Sequence, residues 1–174
     1  MPRRPLVFIV TVRLKPVARP YDSLVEIRPA LVAEAPALTR LATISKASWG
    51  YDEEFMARCA SELVVRDSDI LEARTYVAQD ELGDVVGFYV LKDRSAEEAE
   101  LDLLFVEPAR HGEGVGRALV IDARRRARRW GRVRLVIESD PFAGAFYEAC
   151  GAQLIGVARS VSTGRELPLY SIAL

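Results

Sequence analysis

Apolar positions along the chain follow two different periods, one typical of strands and one typical of helices. Short apolar runs predict strands over residues 24–30, 73–80, 84–92, 99–106, 133–139, 152–160 and 166–174. Helical spacing of apolar residues predicts helices over residues 33–48, 50–63, 114–130 and 141–151. The strands and helices interleave, but residues 81–83 join two strands with a hairpin signal. The pattern therefore predicts an α/β fold, with one mixed sheet and helices on both of its faces.

Several helix ends carry residues suited to them. Asp52 stands where its carboxylate can cap the helix over residues 50–63. Gly131 and Gly151 follow the last two helices, at a position where a left-handed conformation is common. Pro108 ends the strand over residues 99–106. These residues support the predicted boundaries.

The first residues follow neither pattern cleanly. A basic start and an apolar run over residues 6–12 imitate a secretory signal, but Arg13 and Lys15 follow and no small-residue cleavage site appears. The apolar run is also too short to span a bilayer. We expect residues 1–22 to form an N-terminal extension or an extra edge strand, and residues 23–174 to form the functional domain.

Composition narrows the class of protein. The chain has 174 residues, of which 50% are hydrophobic and 28% charged, as expected for a globular domain with a core. Its net charge of -1 predicts no general attraction to nucleic acid or to a membrane surface. Two cysteines, Cys59 and Cys150, and one histidine, His111, predict neither a disulfide framework nor a metal site. We expect a cytoplasmic protein without a metal.

The stretch RHGEGVGRAL, residues 110–119, lies between a strand and a helix, where free N–H groups can bind a phosphate. A Walker loop would need a glycine five residues after Gly112, where Arg117 stands. A dinucleotide loop fits Gly112 and Gly114 but also meets Arg117 in place of its third glycine. For that second alternative, Glu138 stands near the position of a ribose-binding acid. A simple structural turn is the remaining alternative.

The same stretch resembles the coenzyme A loop of the GCN5-related N-acetyltransferase (GNAT) family. That family's pattern is Arg or Gln, two residues, Gly, one residue, and Gly or Ala. His111, Gly114 and Gly116 occupy these positions, and His111 departs from the usual residue. The departure does little harm if backbone N–H groups bind the phosphates.

A second stretch, SDPFAGAFYEACGAQLIG, resembles a later motif of the same family. Ala143, Phe146, Tyr147 and Gly151 are the matching residues. The order of predicted elements also matches, so the resemblance covers about residues 24–174. It implies a GNAT-like acyl-CoA N-acyltransferase fold with a central mixed sheet of six to seven strands.

The resemblance also implies a cosubstrate and a reaction. Acetyl-CoA would donate an acetyl group, without a metal, to a primary amine of a small molecule or peptide. Two central parallel strands would separate, over residues 101–106 and 133–139, and the pantetheine arm would enter between them. The residues expected to contact the cosubstrate are Leu104, Phe105, Val106, His111, Gly112, Glu113, Gly114, Val115, Gly116, Arg117, Ala143 and Phe146.

The chemistry requires an acid and a base. The resemblance places Tyr147 as the acid that assists the departing thiolate. Glu100 matches a glutamate that serves as base in some members, and Asp102, two residues on, shares its face of a regular strand. A water molecule is the alternative base. Equally, Tyr147 could cap the core, and Glu100 could be a solvated residue in an acidic strand end.

Acceptor binding and partners are less determined. Trp49 and Tyr51 flank Gly50 between two predicted helices and suit a pocket wall, or ordinary packing. The arginines over residues 124–129 suit a solvated helix face. An exposed edge strand could form a homodimer. The alternative functions are a non-catalytic acyl-CoA sensor and an oxidoreductase with a nucleotide cofactor.

Overall fold

A computed structural model describes residues 25–72 and 74–174, so the extension expected at residues 1–22 lies outside the described residues. The strands are β1 Glu26–Pro29, β2 Thr75–Gln79, β3 Val85–Asp93, β4 Glu98–Val106, β5 Arg134–Glu138, β6 Gln153–Arg159 and β7 Glu166–Ala173. The helices are α1 Ala35–Ala47, α2 Glu53–Cys59, α3 Asp67–Leu71, α4 Val115–Arg129 and α5 Gly144–Ala149.

These strands form one seven-stranded sheet in the order β1-β2-β3-β4-β5-β7-β6. Among its strand pairs, β4 and β5 run parallel, and the other neighbours are antiparallel. Residues of α1, α2 and α3 pack on one face, and residues of α4 and α5 pack on the other. The predicted mixed α/β sheet with helices on both faces is thus confirmed. The five-residue helix α3 was not predicted, because it is too short to show a helical period.

The pairing between β4 and β5 is short. Their partners are Glu98 with Arg134, Ala99 with Leu135 and Glu100 with Val136, and the pairing ends there. Both strands continue, β4 to Val106 and β5 to Glu138. They therefore separate, and the gap between residues 101–106 of β4 and 137–138 of β5 is called the fork below.

A β-bulge bends β4 at the start of the fork. Leu101 pairs with Leu91 and Leu103 pairs with Val90, so Asp102 is an extra residue. Leu101 consequently belongs to the core beside α4, whereas Leu103 belongs to the core beside α1. In a regular strand, residues two apart would lie on one face. The bulge rotates the remainder of β4 relative to its paired part.

A buried polar network fixes α4 to the sheet. Tyr89, which is fully buried, donates from its hydroxyl to Oδ2 of Asp122 at 2.7 Å. Nε of Arg126 donates to the same oxygen at 2.7 Å, and its guanidinium lies 3.6 Å from the ring centre of Tyr76. Arg126 is therefore packed, unlike the solvated face expected for the arginine run; Arg125 remains exposed.

We expect the substitution Asp122→Ala to lower the free energy of unfolding by about 2–4 kcal/mol, because it leaves a buried hydroxyl and a guanidinium without their shared acceptor. Glu81→Ala, in the exposed β2–β3 turn, is the control and should change stability by less than about 0.5 kcal/mol. Urea unfolding measures both. Equal midpoints for the two variants would contradict the assigned role of the network.

Candidate active site

The fork opens into a cavity of about 690 Å³. Its walls come from β4, the loop before α4, the end of α1, α2, α5 and the β6–β7 loop. Fifteen of the predicted site residues line it: Trp49, Glu100, Asp102, Leu104, Phe105, Val106, His111, Gly112, Gly114, Val115, Gly116, Arg117, Ala143, Phe146 and Tyr147. Tyr51 and Glu113 were also predicted, but neither lines the cavity.

Two glycines determine the backbone path of the glycine loop, defined as residues 110–117. Gly112 has φ of 84° and Gly114 has φ of 88°, conformations that other residues rarely adopt. A Cβ at either position would meet no atom within 4 Å. The backbone of both residues thus borders open space rather than packed protein.

Gly116 serves a different purpose. A Cβ there would lie 3.1 Å from Cζ of Phe146 and 3.7 Å from Cγ2 of Val106. Its small size therefore lets the start of α4 approach α5 and β4 closely. This contact holds the glycine loop at the end of the fork.

Backbone N–H groups of the loop are free to bind an anion. The first hydrogen bond of α4 runs from Ala118 N to Gly114 O, at 3.0 Å. Within the described part of the chain, no acceptor faces the N–H groups that precede it, namely those of Gly112, Gly114, Val115, Gly116 and Arg117. The positive end of the α4 dipole reinforces these donors. A pyrophosphate fits this chemistry.

Two charged side chains of the loop, those of Arg110 and Glu113, contact each other. Nε of Arg110 donates to Oε2 of Glu113 at 2.6 Å, and Nη1 of Arg110 donates to Oδ2 of Asp80 at 2.9 Å. The Glu113 carboxylate is thereby neutralised outside the cavity. Glu113 contributes loop geometry rather than a side-chain contact to the predicted cosubstrate site.

The His111 side chain binds the backbone of β4 rather than facing only the cavity. Its Nε2 lies 3.1 Å from the carbonyl oxygen of Val106, and a carbonyl can only accept, so Nε2 carries the hydrogen. This bond ties the glycine loop to the end of β4. The histidine thus positions backbone donors, as expected if those donors bind the phosphates.

Backbone groups of β4 also face the fork. Glu107 N donates to Val86 O of the neighbouring strand, at 2.9 Å. Peptide groups alternate in direction along a strand, so those of Phe105 point to β3 and those of Leu104 and Val106 point into the fork. The β5 partner that would meet them has already diverged. An extended ligand could pair with them as a strand would.

Tyr147, on α5, lines the cavity at the fork. It is only 7% exposed, and its hydroxyl has no hydrogen-bond partner among the residues described. The ring packs edge-on against Phe146, with 4.9 Å between centres. Burial raises the pKa of Tyr147 well above its usual value. The hydroxyl therefore stays protonated at neutral pH and is available as a donor.

Three carboxylates border the other side of the cavity. Burial raises the pKa of Glu100, and the neighbouring charges of Asp102 and Glu138 raise it further, while Arg94 opposes them. Asp102 is held by Lys92, whose Nζ lies 2.7 Å from Oδ2. Because Lys92 is the cross-strand partner of Glu100, Asp102 stays on the Glu100 side despite the bulge. Glu100, less tightly paired, is the better proton acceptor.

Asp140 joins the elements around the remaining wall. It accepts hydrogen bonds from Nζ of Lys46 at 3.0 Å, the hydroxyl of Tyr51 at 2.9 Å and the N–H of Phe142 at 3.0 Å. Burial alone would raise the pKa of Asp140, but these donors outweigh it and hold the pKa below its usual range. Burial raises the pKa of Tyr51 to about 12. Tyr51 thus does not line the cavity itself but holds Asp140, which does.

Trp49 forms the exposed part of that wall. Its ring stacks on Phe142, with centres 5.6 Å apart and planes 7° apart, and it is 41% exposed. Sequence reasoning did not identify Asp140 as a wall residue, nor Phe142 as the partner of Trp49. The Asp-Pro pair at residues 140–141 signals a helix start, and nothing in it indicates partners on α1 and on the loop that follows.

Two further observations concern metals and membranes. Among the described residues, no three metal-ligating side chains come together as a metal site would require. None of the described helices combines the length and the apolar character needed to cross a bilayer.

Residues 72–151 match the family model of the acetyltransferase (GNAT) domain. This part of the chain is a GNAT domain. The match includes β4, the glycine loop and Tyr147, and confirms the resemblance found in the sequence. From this match, the chain is an acyl-CoA-dependent acetyltransferase. No curated protein matches this GNAT chain.

Solved structures share the GNAT fold. PaiA N-acetyltransferase of Thermoplasma acidophilum, in complex with coenzyme A, has a TM-score of 0.71 and 18% identity, covering 86% of this chain and 99% of that one. A GCN5-related N-acetyltransferase of Rhodopseudomonas palustris has a TM-score of 0.70 and 21% identity, covering 90% and 100%. The yncA protein of Salmonella typhimurium, with its cofactor acetyl-CoA, has a TM-score of 0.60 and 21% identity, covering 86% and 93%.

We expect Gly114→Asp to weaken acetyl-CoA binding at least about 100-fold. The side chain would strain a backbone with φ of 88° and place a negative charge among the anion-binding N–H groups. Gly131→Asp is the matched control, since Gly131 has φ of 76° and equally open surroundings at the far end of α4. Calorimetry with acetyl-CoA measures both dissociation constants.

The control variant should lose some stability and keep its affinity. If folded Gly114→Asp protein bound acetyl-CoA like the parent, the glycine loop would not be the phosphate site.

Proposed function

We propose that the protein is an N-acetyltransferase that moves an acetyl group from acetyl-CoA to a primary amine of a small molecule or peptide, by direct attack in a ternary complex. One observation carries this proposal. The free N–H groups of the glycine loop, the unpartnered hydroxyl of Tyr147 and the carboxylate of Glu100 line one cavity at the fork. Coenzyme A in one similar structure and acetyl-CoA in another support the choice of donor.

The proposed orientation of acetyl-CoA runs from the glycine loop, at its pyrophosphate, along β4 into the fork, at its thioester. The glycine loop would bind the pyrophosphate through the N–H groups at the start of α4. The pantetheine arm would run along β4 and pair with the peptide groups of Leu104 and Val106. This orientation would place the thioester near Tyr147.

The reaction then needs proton transfers at the acceptor nitrogen and at the CoA sulfur. An acceptor ammonium gives one proton to Glu100, directly or through water, and becomes a nucleophile. Its nitrogen attacks the thioester carbon, forming the C–N bond, and collapse of the oxyanion breaks the C–S bond. The second proton of the nitrogen is released, and the CoA sulfur gains one. The products are an N-acetyl amide and CoA thiol.

Tyr147 suits assistance at the sulfur. A thiol has a pKa near 8.5, and burial raises the pKa of Tyr147 far above that value. The tyrosine therefore stabilises the departing thiolate chiefly as a hydrogen-bond donor, and any proton it gives up is readily regained. No described residue competes for that donor.

A non-catalytic acyl-CoA sensor would use the same glycine loop. Thiol release from acetyl-CoA over a panel of primary amines, with and without enzyme, separates the two functions. We expect at least one amine to be acetylated. Tight acetyl-CoA binding with no amine turned over would favour the sensor. The family assignment removes the oxidoreductase alternative. A homodimer and a cytoplasmic location remain predictions.

We expect Tyr147→Phe to lower kcat on the order of 10²-fold and to leave acetyl-CoA affinity unchanged, since it removes one donor to the leaving group. Tyr170→Phe is the matched control. Tyr170 is also buried, but its hydroxyl is engaged with Glu148 at 3.0 Å and it does not line the cavity. Steady-state kinetics with rapid-quench measurement of the chemical step tests both variants. A Tyr147→Phe enzyme with parental chemistry would show that the ring only packs.

We expect Glu100→Gln to lower kcat and to remove the acidic limb of the pH–rate profile. Burial first, and then Asp102 and Glu138, raise the pKa of Glu100, so the parent loses its base as pH falls through that raised value. Glu97→Gln, at a mostly exposed carboxylate just before β4, should keep the limb. An unchanged profile in Glu100→Gln would assign proton removal to Asp102 or to water.

A further inference from the structure

Glu138 lines the cavity without a role in the reaction just described. It is the last residue of β5 and lies two residues beyond Val136, the end of the pairing with β4. Glu100 stands on β4 opposite Val136. The two carboxylates therefore border the fork from its two sides.

Both side chains lie on the same face of the sheet. Ala99 and Leu101 of β4, and Leu135 and Ile137 of β5, belong to the core beside α4. Side chains alternate along a strand, so Glu100 and Glu138 point to the opposite face. That face carries α1 and α2, which also contribute residues to the cavity lining. An acceptor amine would enter on this side.

One guanidinium is shared between these carboxylates. Nη1 of Arg94 lies 3.9 Å from Oε1 of Glu100 and 3.5 Å from Oε1 of Glu138, and its Nε lies 3.8 Å from Oε2 of Glu98. All three distances exceed those of a normal hydrogen bond. Arg94 thus neutralises the group only in part.

Two neighbouring cations are already engaged. Nζ of Lys92 lies 2.7 Å from Asp102, and Nε of Arg134 lies 3.1 Å from Glu98. Glu100 and Glu138 are left with Arg94 between them, which leaves an excess negative charge at the fork. An incoming cation would find two carboxylates and room beside them.

A separate feature marks this cavity as the place of reaction. The Tyr147 side chain is mostly buried and lines the same cavity, and its hydroxyl has no partner among the described residues. The Tyr147 hydroxyl would donate a hydrogen bond to the departing sulfur. The carboxylates would accept hydrogen bonds from the incoming amine. One cavity therefore holds groups suited to the leaving sulfur and groups suited to the attacking amine.

We propose that Glu138 binds the ammonium form of the acceptor together with Glu100, which restricts acceptors to aliphatic amines that are protonated at neutral pH. This inference rests on the proposed N-acetyltransferase function. An alkylamine has a pKa near 10 and arrives as a cation, whereas an arylamine arrives neutral. The proton passes from nitrogen to a Glu100 oxygen, while Glu138 remains beside Arg94. The neutral amine then leaves the ion pair and attacks.

Kinetics with an alkylamine acceptor found in the amine panel give the first test. Glu138→Gln should raise KM for the amine about 10-fold, with kcat changed less than about threefold and KM for acetyl-CoA unchanged. Glu138→Asp, which keeps the charge, should restore part of the loss. Glu98→Gln is the matched control, because Glu98 also contacts Arg94 but does not line the cavity.

The pH profile gives a second readout that a structural ion pair would not move. The charged groups that face Glu100 are Lys92 of β3, Arg94 of the β3–β4 turn, Asp102 of β4 and Glu138 of β5. Loss of the Glu138 charge should shift the acidic limb of kcat to lower pH. Glu98→Gln should leave that limb in place.

A binding measurement separates failure of this inference from failure of the proposed function. In enzyme labelled with ¹³C at glutamate carboxyls, n-butylammonium should shift two signals, assigned by their loss in Glu100→Gln and Glu138→Gln. Unmoved signals, or an unchanged amine KM in folded Glu138→Gln, would overturn the inference. Absence of thiol release with every amine, by contrast, would overturn the acetyltransferase function itself.

Discussion

The early end of the pairing between β4 and β5 is the constraint on which the site depends. Three residue pairs join these strands, and both strands then continue without a common partner. A fully paired sheet would satisfy the peptide groups of Leu104 and Val106 internally and leave no cavity. Because the strands separate instead, backbone donors and acceptors are exposed inside the protein. The fork is thus a binding site made from the sheet itself.

Other features place chemical groups around that gap. The glycine loop brings the start of α4 to one end, where Gly116 packs against Phe146 and His111 binds Val106. The helix α5 places Tyr147 in the lining of the same cavity. Burial raises the pKa of both Tyr147 and Glu100, and each shift serves a different side of the reaction. It keeps the tyrosine protonated as a donor and makes Glu100 more basic as an acceptor.

Local features of the chain could be predicted from the sequence because they depend on residues close in sequence. Asp52 caps α2 as expected, accepting from the N–H of Phe55 at 2.7 Å. The glycine loop and the Phe-Tyr pair likewise carry short, recognisable patterns. The bulge at Asp102, the partners of Asp140 and the position of Arg94 depend on contacts between distant segments. No local pattern in the sequence encodes these contacts. Tyr51 was predicted to line the pocket, but its hydroxyl binds Asp140 instead, a partner from a distant segment.

Amide hydrogen exchange, followed residue by residue with and without acetyl-CoA, tests the role of the fork most directly. The account predicts that acetyl-CoA slows exchange at Leu104 and Val106 and at the free N–H groups of Gly112, Gly114, Val115, Gly116 and Arg117. Those two sets would respond to the pantetheine arm and to the pyrophosphate, respectively. Slowing at the glycine loop alone would contradict pairing of the ligand with β4. Unchanged exchange at both sets, under saturating acetyl-CoA, would contradict the fork as the binding site.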